Sequence, residues 1–283
     1  MRIPRTRTWI LALAAACSEV APARANFVIG ADHPPIGAKG YALQTDNRLT
    51  YVYGDRFVNA NGTERDTVVR QRLGLFILRL FVPNWMVRAS IPYVMLDSGG
   101  VSRYGWGDAV FEAGASRDLG PDARLRALLY AKAPFGAFQS ARAANIGAGQ
   151  WDVGPNVYLT RYLWNKSVDV NGFLQYVYRA NNTGTNVKPG NELSYAVTAA
   201  RLFKVGVPMR LGVEHRGLFG DPNTARGRAV GAAKRQLSVG PAAFLRLDQI
   251  AQGFSLWPTA LFDVDNRNTQ RVNQYYLKIQ YNY

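Results

Sequence analysis

The sequence predicts an all-β protein: an up-and-down antiparallel transmembrane β-barrel of about 12 strands, after a cleaved N-terminal signal peptide. The N-terminus has the composition of a secretion signal, about twelve segments alternate apolar and polar residues, and the chain ends on an alternating aromatic strand. A period of two residues indicates a strand with one apolar and one polar face. A secreted chain without an apolar helix can cross a membrane only as a closed barrel, because open sheet edges leave backbone groups unpaired in lipid.

The first 25 residues are predicted to be a signal peptide. Three arginines begin it, an apolar stretch over residues 9–17 follows, and Ala-Arg-Ala at 23–25 is the cleavage site. The apolar stretch is too short to span a bilayer, which needs about 20 residues. We therefore expect a signal peptide over 1–25, a periplasmic lead-in over 26–39 and the barrel over 40–283.

Cys17 is the single cysteine of the chain. It follows three alanines and resembles a weak lipoprotein attachment site, so lipoprotein processing stays open as an alternative to cleavage after Ala25. Cleavage after Ala25 removes Cys17, and the rest of the chain then has no disulfide, no thiolate metal site and no cysteine nucleophile.

The alternating segments set the expected strand number. They cover 40–53, 66–82, 84–96, 106–118, 123–134, 151–164, 167–180, 192–203, 208–218, 236–248, 253–264 and 272–283. The second segment is the least regular, and its apolar run changes face near Phe76, which predicts a bulge there. The connections alternate between short and long, as expected for a barrel with short periplasmic turns and longer outer loops. The long ones are 54–65, 97–105, 135–150, 181–191, 219–235 and 265–271.

The last strand favours a membrane barrel. Tyr275, Tyr281 and Tyr283 lie on one face of it, together with Leu277 and Ile279. A closing strand that ends on an aromatic residue and carries aromatic girdle residues is typical of bacterial outer-membrane barrels. We expect an outer-membrane location, contact with outer-membrane lipid, and recognition of this strand by barrel-assembly machinery. A soluble periplasmic β-sandwich is the alternative fold.

The chain is strongly basic. It carries +15, and +12 without residues 1–25, which hold four arginines and one glutamate. A secretion signal argues against a nucleic-acid partner. If the apolar phase of each strand faces lipid, the opposite phase lines the lumen. The basic residues on that phase are Arg70, Arg72, Arg88, Arg124, Arg126, Lys132, Arg179, Arg210, Arg216, Arg246 and Lys278, and the acids are Asp108, Glu112, Asp152, Asp169 and Glu214. Such an arginine ladder concentrates anions and discourages cations.

These features predict a porin-like channel for passive uptake of small, anionic or aromatic molecules. The candidate gate or entry site is loop 135–150, because it is long and mixes aromatic and charged residues: Phe135, Phe138 and Arg142, with Trp151 at its base. The alternative is a barrel whose lumen arginines pair with acids across a filled interior. Such a barrel would have a structural or binding role.

A catalytic site is not expected. The chain has two histidines, His33 and His215, and a barrel hydrolase needs a serine and a histidine close together with a third group that orients the histidine. No serine is within reach of His215 along its own strand, although a neighbouring strand could supply one. A lipid-acting enzyme is therefore the less favoured alternative. No metal or nucleotide motif is found, so no metal and no cofactor are expected.

Five short stretches resemble the outer-membrane family of meta-pathway phenol-degradation proteins, the MetA-pathway phenol degradation-like transporters. They read Ile-Pro-Tyr-Val at 91–94, Tyr-Gly-Trp-Gly-Asp at 104–108, Lys-Ala-Pro-Phe-Gly at 132–136, Asn-Ile-Gly-Ala-Gly-Gln-Trp-Asp at 145–152 and Lys-Pro-Gly-Asn-Glu-Leu at 188–193. Phe135 departs from the family, which usually has a small polar residue there. The resemblance implies a Gram-negative outer-membrane barrel associated with uptake of aromatic or poorly permeant compounds, and it carries over no catalytic residue. Aromatic carboxylates and phenols would suit an arginine-lined lumen.

Overall fold

The computed structural model describes residues 42–98, 100–139, 145–182 and 184–283. These residues form sixteen β-strands. Within them, no helix is long and apolar enough to cross a membrane. The predicted signal peptide over 1–25 and lead-in over 26–39 lie outside the described residues.

The strands differ in length and role. In chain order they are β1 (Ala42–Val58), β2 (Glu64–Val82), β3 (Trp85–Ser98), β4 (Val101–Trp106), β5 (Ala109–Asp118), β6 (Ala123–Ala133), β7 (Asp152–Leu163), β8 (Val168–Arg179), β9 (Val187–Lys188), β10 (Glu192–Val205), β11 (Val207–Gly220), β12 (Asn223–Ala225), β13 (Arg228–Val230), β14 (Lys234–Arg246), β15 (Phe254–Arg267) and β16 (Thr269–Asn282). The three shortest, β9, β12 and β13, form a small separate sheet in two of the connections.

The large sheet closes on itself. β1 pairs antiparallel with both β2 and β16. Starting from β2, the strand order is β2-β1-β16-β15-β14-β11-β10-β8-β7-β6-β5-β3-β4. β2 also pairs with β3, near the other end of this order, and this pairing closes the barrel. β4 and β5 lie in line beside β3, opposite residues 93–98 and 85–90, and so make one wall strand between them. The barrel therefore has twelve wall strands, and the predicted all-β antiparallel barrel is confirmed.

Alternation along the strands gives the barrel two faces. On β2, Phe76, Leu78 and Leu80 are exposed, while Leu75 and Ile77 between them are buried in the interior. Exposed leucine, valine, tryptophan and phenylalanine side chains recur on the outward phase of the other wall strands. Leaving this much apolar area in water costs free energy, whereas lipid accepts it. The outer wall is therefore the lipid-facing surface.

The connections at one end of the barrel are short. Five turns, at 83–84, 119–122, 164–167, 206 and 247–253, lie at the end where the described chain starts and stops. Asn84 and Asn165 occupy these turns with φ of 65° and 51°, a left-handed conformation that asparagine tolerates well. In bacterial barrels this end faces the periplasm. We name it the periplasmic end and the opposite one the extracellular end.

Three of the predicted long loops are shorter in the structure. The predicted loops 54–65, 97–105 and 265–271 are mostly strand, and their hairpins turn at 59–63, between Ser98 and Val101, and at Asn268. The longer connections are those after β6, β8 and β11. The polar residues of the three shortened loops suggested irregular chain, but strands that rise above the membrane are polar on both faces and lose the alternating pattern.

The bulge predicted near Phe76 is wrong. The pairing of β2 with β3 runs without a shift from Val69 to Val82, and the shift between β1 and β2 lies near Gly54 and Arg56 instead. The apolar run near Phe76 changes no register because β2 is apolar on both faces at that height. Its inner face packs inside the barrel while its outer face meets lipid.

Two glycines allow neighbouring strands to approach closely. A Cβ atom at Gly154 would lie 1.9 Å from the carbonyl oxygen of Tyr176, and one at Gly240 would lie 1.9 Å from that of Ala260. We expect Gly154→Ala and Gly240→Ala to displace the neighbouring strand and destabilise the barrel by about 1–3 kcal/mol or more. The measurement is the fraction of protein that migrates as the folded barrel when samples are loaded on a denaturing gel without heating. Gly172→Ala is the control, because nothing lies within 4 Å of its Cβ position. Equal folding of all three variants would contradict the prediction.

Candidate functional site: the barrel interior and its inward loop

Most of the predicted lumen residues lie in the barrel interior. Eight of the basic side chains are at most 14% exposed: Arg88, Arg124, Arg126, Lys132, Arg179, Arg210, Arg216 and Lys278. The five predicted lumen acids are also buried: Asp108, Glu112, Asp152, Asp169 and Glu214. The interior of the described barrel is therefore rich in charge and shielded from solvent.

Three predicted lumen residues lie elsewhere. Arg70 and Arg72 are exposed on the outward face of β2, so their predicted orientation was wrong. The reason is that the inward phase of β2 carries Val69, Leu73 and other apolar residues, so hydrophobicity did not reveal which phase faces lipid. Arg246 is exposed at the periplasmic end of β14, where it pairs with Asp248.

Six buried charges were missed by the sequence analysis. They are the bases Arg48, Arg79 and Lys234 and the acids Asp46, Glu192 and Asp263. The signal for two of them was present, because Gln44, Asp46, Arg48 and Thr50 form a polar face of period two on β1. Arg79 had no such signal, since its neighbours on both faces of β2 are apolar.

Asp46 is the centre of a buried charge cluster. Its carboxylate lies 2.8 Å from Arg48, 3.0 Å from Arg79 and 3.6 Å from Lys278, and every side chain in the cluster is at most 4% exposed. The four residues come from β1, β2 and β16, which are neighbours in the wall. Buried charges are stable only when opposite charges and hydrogen bonds compensate their loss of hydration. The cluster therefore couples three wall strands through one carboxylate.

A row of alternating charges crosses the wall near the extracellular end. Lys132 lies 2.7 Å from Asp152, Arg179 lies 3.9 Å from Asp152 and 2.8 Å from Glu192, and Lys234 lies 3.9 Å from Glu192. These residues belong to β6, β7, β8, β10 and β14. Each carboxylate in the row thus has a cation on both sides.

The connection after β6 folds inward at this height. We define the inward loop as residues 134–139 and 145–151. Asp108, at the break between β4 and β5, accepts hydrogen bonds from the backbone N–H groups of Gly136 (3.0 Å) and Ala148 (2.8 Å). Lys132 lies 3.5 Å from the same carboxylate. One buried carboxylate therefore ties both arms of the loop to the wall.

Ile146 of the inward loop packs inside the barrel. It is 6% exposed and belongs to an apolar cluster with inward side chains of four wall strands, which we name the interior patch. The patch consists of Val69, Leu73, Leu75 and Ile77 of β2, Val94 and Leu96 of β3, Leu261 of β15 and Tyr276 of β16. Ile146 thus packs against one apolar part of an interior that also holds many charges.

The predicted gate residues lie in different places. Phe138 is partly buried and lies over Gly149, where a Cβ would come within 2.6 Å of its ring. Phe135 and Trp151 are exposed. Arg142 lies outside the described residues. Sequence reasoning missed Ile146, which is the residue of this loop that packs in the interior patch.

The predicted girdle residues lie on the outer wall. Tyr275 is stacked on Tyr51 with ring centroids 6.3 Å apart, and it meets the edge of Phe262 at 6.2 Å. The rings of Tyr281 and Tyr283 contact each other near the periplasmic end, with centroids 4.7 Å apart. Aromatic rings at two heights on one strand match the two aromatic belts of membrane barrels.

His215 lies on the outer face of β11. Its Nε2 atom is 2.8 Å from the Tyr195 hydroxyl, and its Nδ1 atom is 3.0 Å from the carbonyl oxygen of Ser238. Among the described residues, no serine or aspartate side chain hydrogen-bonds this ring. The described chain also contains no group of three or more His, Cys, Asp or Glu side chains that could hold a metal ion.

A family model decides the relationship of the chain. The family described as "Putative MetA-pathway of phenol degradation" matches residues 33–279. The chain belongs to this family. Among solved structures, the COG4313 outer membrane channel from Pseudomonas putida F1 is similar with a TM-score of 0.78 at 16% identity, over 91% of this chain and 100% of that one. The NanC porin is similar with a TM-score of 0.52 at 11% identity, over 84% of this chain and 98% of that one.

Both structural likenesses concern the fold, which is that of an outer-membrane channel. No curated protein sequence matches the chain significantly. Three of the five short stretches that suggested the family meet at the inward loop of this family member. Asp108 ends one of them, Gly136 ends the second, and Ala148 lies in the third. These three stretches therefore share one place in the structure of this chain.

Proposed function

We propose that this barrel is a non-enzymatic outer-membrane channel through which small anionic or aromatic molecules diffuse, and that the inward loop is its gate. The observation that carries the proposal is the apolar patch set among buried cations on one inner wall. Arg48 lies opposite Leu75 in the pairing of β1 with β2, and Arg79 follows Ile77 on the same face. Arg216 donates a hydrogen bond to the Tyr276 hydroxyl at 2.8 Å, and its guanidinium lies 4.6 Å from that ring.

This combination suits an aromatic carboxylate or a phenolate. Such a solute presents an apolar ring and an anionic oxygen at one edge. The interior patch can receive the ring, while guanidinium groups bind carboxylates in bidentate fashion and stack on aromatic faces. A neutral or cationic solute would gain only part of these contacts, which supports a preference for aromatic anions.

We infer that passage of a solute requires a conformational change of the inward loop. Ile146 occupies the interior patch, and the cations at that height are paired with acids such as Asp46. An entering anion would replace those carboxylates as a partner, and its ring would replace Ile146. We therefore propose that the inward loop leaves the patch when solute enters from the extracellular end.

The second candidate function is a structural or binding barrel with a filled interior. It is favoured by the buried ion pairs, because Asp46, Glu112 and Glu214 are each at most 2% exposed. In this case the charges serve stability, and no route for solute exists. The two functions differ in a measurable property, which is ion conduction.

The deciding experiment is a conductance measurement. The full chain is expressed in a Gram-negative host, purified from outer membranes and inserted into a planar bilayer with a KCl gradient. We expect discrete current steps and a reversal potential that is shifted towards the equilibrium potential of chloride. Correctly folded protein without any steps would contradict the channel and favour the filled barrel.

Anion preference is expected to depend on Arg124 and Arg126. They lie on the inner wall of β6 towards the periplasmic end, where Arg124 pairs with Asp118 at 2.5 Å and Arg126 donates to Ser116 at 3.2 Å. Their joint replacement by serine removes two positive charges from the interior, so the chloride-to-potassium permeability ratio should fall several-fold. The matched control is Arg70→Ser with Arg72→Ser, which removes the same charge from the outer face. An equal ratio in both double variants would contradict a role for the interior arginines.

A further inference from the structure

The two arginines that face outward on β2 belong to a larger basic surface. Across β1, Arg70 is paired with Tyr53 and Arg72 with Tyr51, and Arg56 of β1 is paired with Arg271 of β16. The side chains of Arg56 and Arg271 are about half exposed, at 49% and 50%. We name Arg56, Arg70, Arg72 and Arg271 the arginine patch.

The arginine patch lies at a defined height on the lipid-facing wall. Below it, towards the periplasmic end, the outward side chains are apolar: Leu49, Phe76, Leu78 and Leu277. Tyr51 and Tyr275 stack between the two zones. Tyrosine belts mark the boundary between acyl chains and headgroups in membrane barrels. The patch therefore extends from the height of this belt, where Arg72 is paired with Tyr51, up to the headgroup level of the outer leaflet.

Only part of the patch is neutralised by the protein. Glu64 lies 2.6 Å from Arg56 and 3.5 Å from Arg271. Arg70 and Arg72 make no ion pair within the described residues, although Asp97 is the cross-strand neighbour of Arg70 on β3. The guanidinium of Arg70 lies 6.0 Å from the Tyr53 ring. Cations held at the edge of the hydrocarbon region are stabilised by anions from the headgroups.

The outer wall has a concave site beside these arginines. A cavity of about 290 Å³ is lined by Tyr53, Asp55, Arg56, Arg271 and Asn273. It offers two guanidinium groups for a phosphate, and hydroxyl, amide and carboxylate groups that can hydrogen-bond sugar hydroxyls. Arginine is suited to phosphate because its planar fork donates two parallel hydrogen bonds.

We propose that the arginine patch binds the phosphate groups of the phosphorylated glycolipid of the outer leaflet, lipopolysaccharide. The cavity holds one phosphate and its sugar, and Arg70 and Arg72 contact a second phosphate beside it. The acyl chains lie against the apolar wall below Tyr51. This interaction concerns the outer surface and is independent of any conduction through the interior.

Binding of purified lipopolysaccharide to the full chain in detergent tests the proposal. We expect Arg70→Ser with Arg72→Ser to weaken binding about 100-fold, because two charge-assisted contacts are lost and each contributes about tenfold. The matched control is Arg161→Ser with Arg201→Ser, which removes two exposed arginines near the periplasmic end of the wall. Folding of each variant is checked by comparing the gel mobility of heated and unheated samples. Equal weakening in the control would overturn the proposal.

Two further ligands separate lipid phosphate from other sources of affinity. Enzymatically dephosphorylated glycolipid should bind about tenfold more weakly to the unaltered chain, and equal binding would overturn the role of phosphate. Inorganic phosphate at millimolar concentration should displace little of the bound lipid. Its complete displacement would identify a simple phosphate site and would overturn the lipid assignment.

Discussion

Asp108→Ala is expected to increase the conductance of the barrel strongly. The substitution removes the acceptor for two backbone N–H groups, on Gly136 and Ala148, that hold both arms of the inward loop. Hydrogen bonds to a charged group contribute about 1.5–3 kcal/mol each, so the loss of two shifts the balance between the inward and outward loop about 100-fold or more. The channel should spend far more time open. Single-channel recording in a planar bilayer measures this directly.

A control separates the loss of the Asp108 hydrogen bonds from a general loss of charge. Asp97→Ala removes an aspartate at the tip of the hairpin formed by β3 and β4, where Asp97 accepts a hydrogen bond from Ser102. This variant should conduct like the unaltered chain. If Asp108→Ala also conducts like the unaltered chain although it folds, the inward loop does not limit passage.

Asp46→Ala is expected to be the most destabilising substitution of a single interior charge. The carboxylate of Asp46 is shared by Arg48, Arg79 and Lys278, all of them shielded from solvent. Removing one partner of a buried ion pair costs about 3–5 kcal/mol, because the remaining charges keep their desolvation cost and lose the attraction. The measurement is the free energy of unfolding of the barrel in lipid vesicles, from urea titration followed by tryptophan fluorescence.

The matched control for this prediction is Glu64→Ala. Glu64 also contacts two cations, Arg56 and Arg271, but these pairs are about half exposed at the extracellular end. Exposed pairs contribute about 0–1 kcal/mol, so this variant should unfold almost like the unaltered chain. The double variant Asp46→Ala with Lys278→Met should recover part of the lost stability. Equal losses for Asp46→Ala and Glu64→Ala would mean that the interior charges are hydrated rather than buried.

The strands were predictable because their pattern is local. All twelve predicted segments correspond to wall strands, since a barrel in lipid needs an apolar residue at nearly every second position. The pattern failed where that condition does not hold. Above the membrane β1, β2, β15 and β16 continue as polar strands, and the predicted loops there were too long.

The interior was predictable only in part. Arg88, Arg126 and Lys278 could be placed inside because their strands alternate clearly. β2 could not be oriented from its sequence, because its inner face packs against the inward loop and is itself apolar. Arg79 was therefore missed, and Arg70 and Arg72 were assigned to the wrong face.

The sequence alone determined that the chain forms a barrel of about twelve strands and which segments make its wall. It could do so because alternation and turn chemistry depend on neighbours along the chain. Only the tertiary structure decided which charges meet. Asp46 joins residues of β1, β2 and β16, and Asp108 holds a loop that starts about 25 residues later. Such pairings depend on register and closure of the barrel, which arise from contacts between distant strands and leave no periodic trace in the sequence.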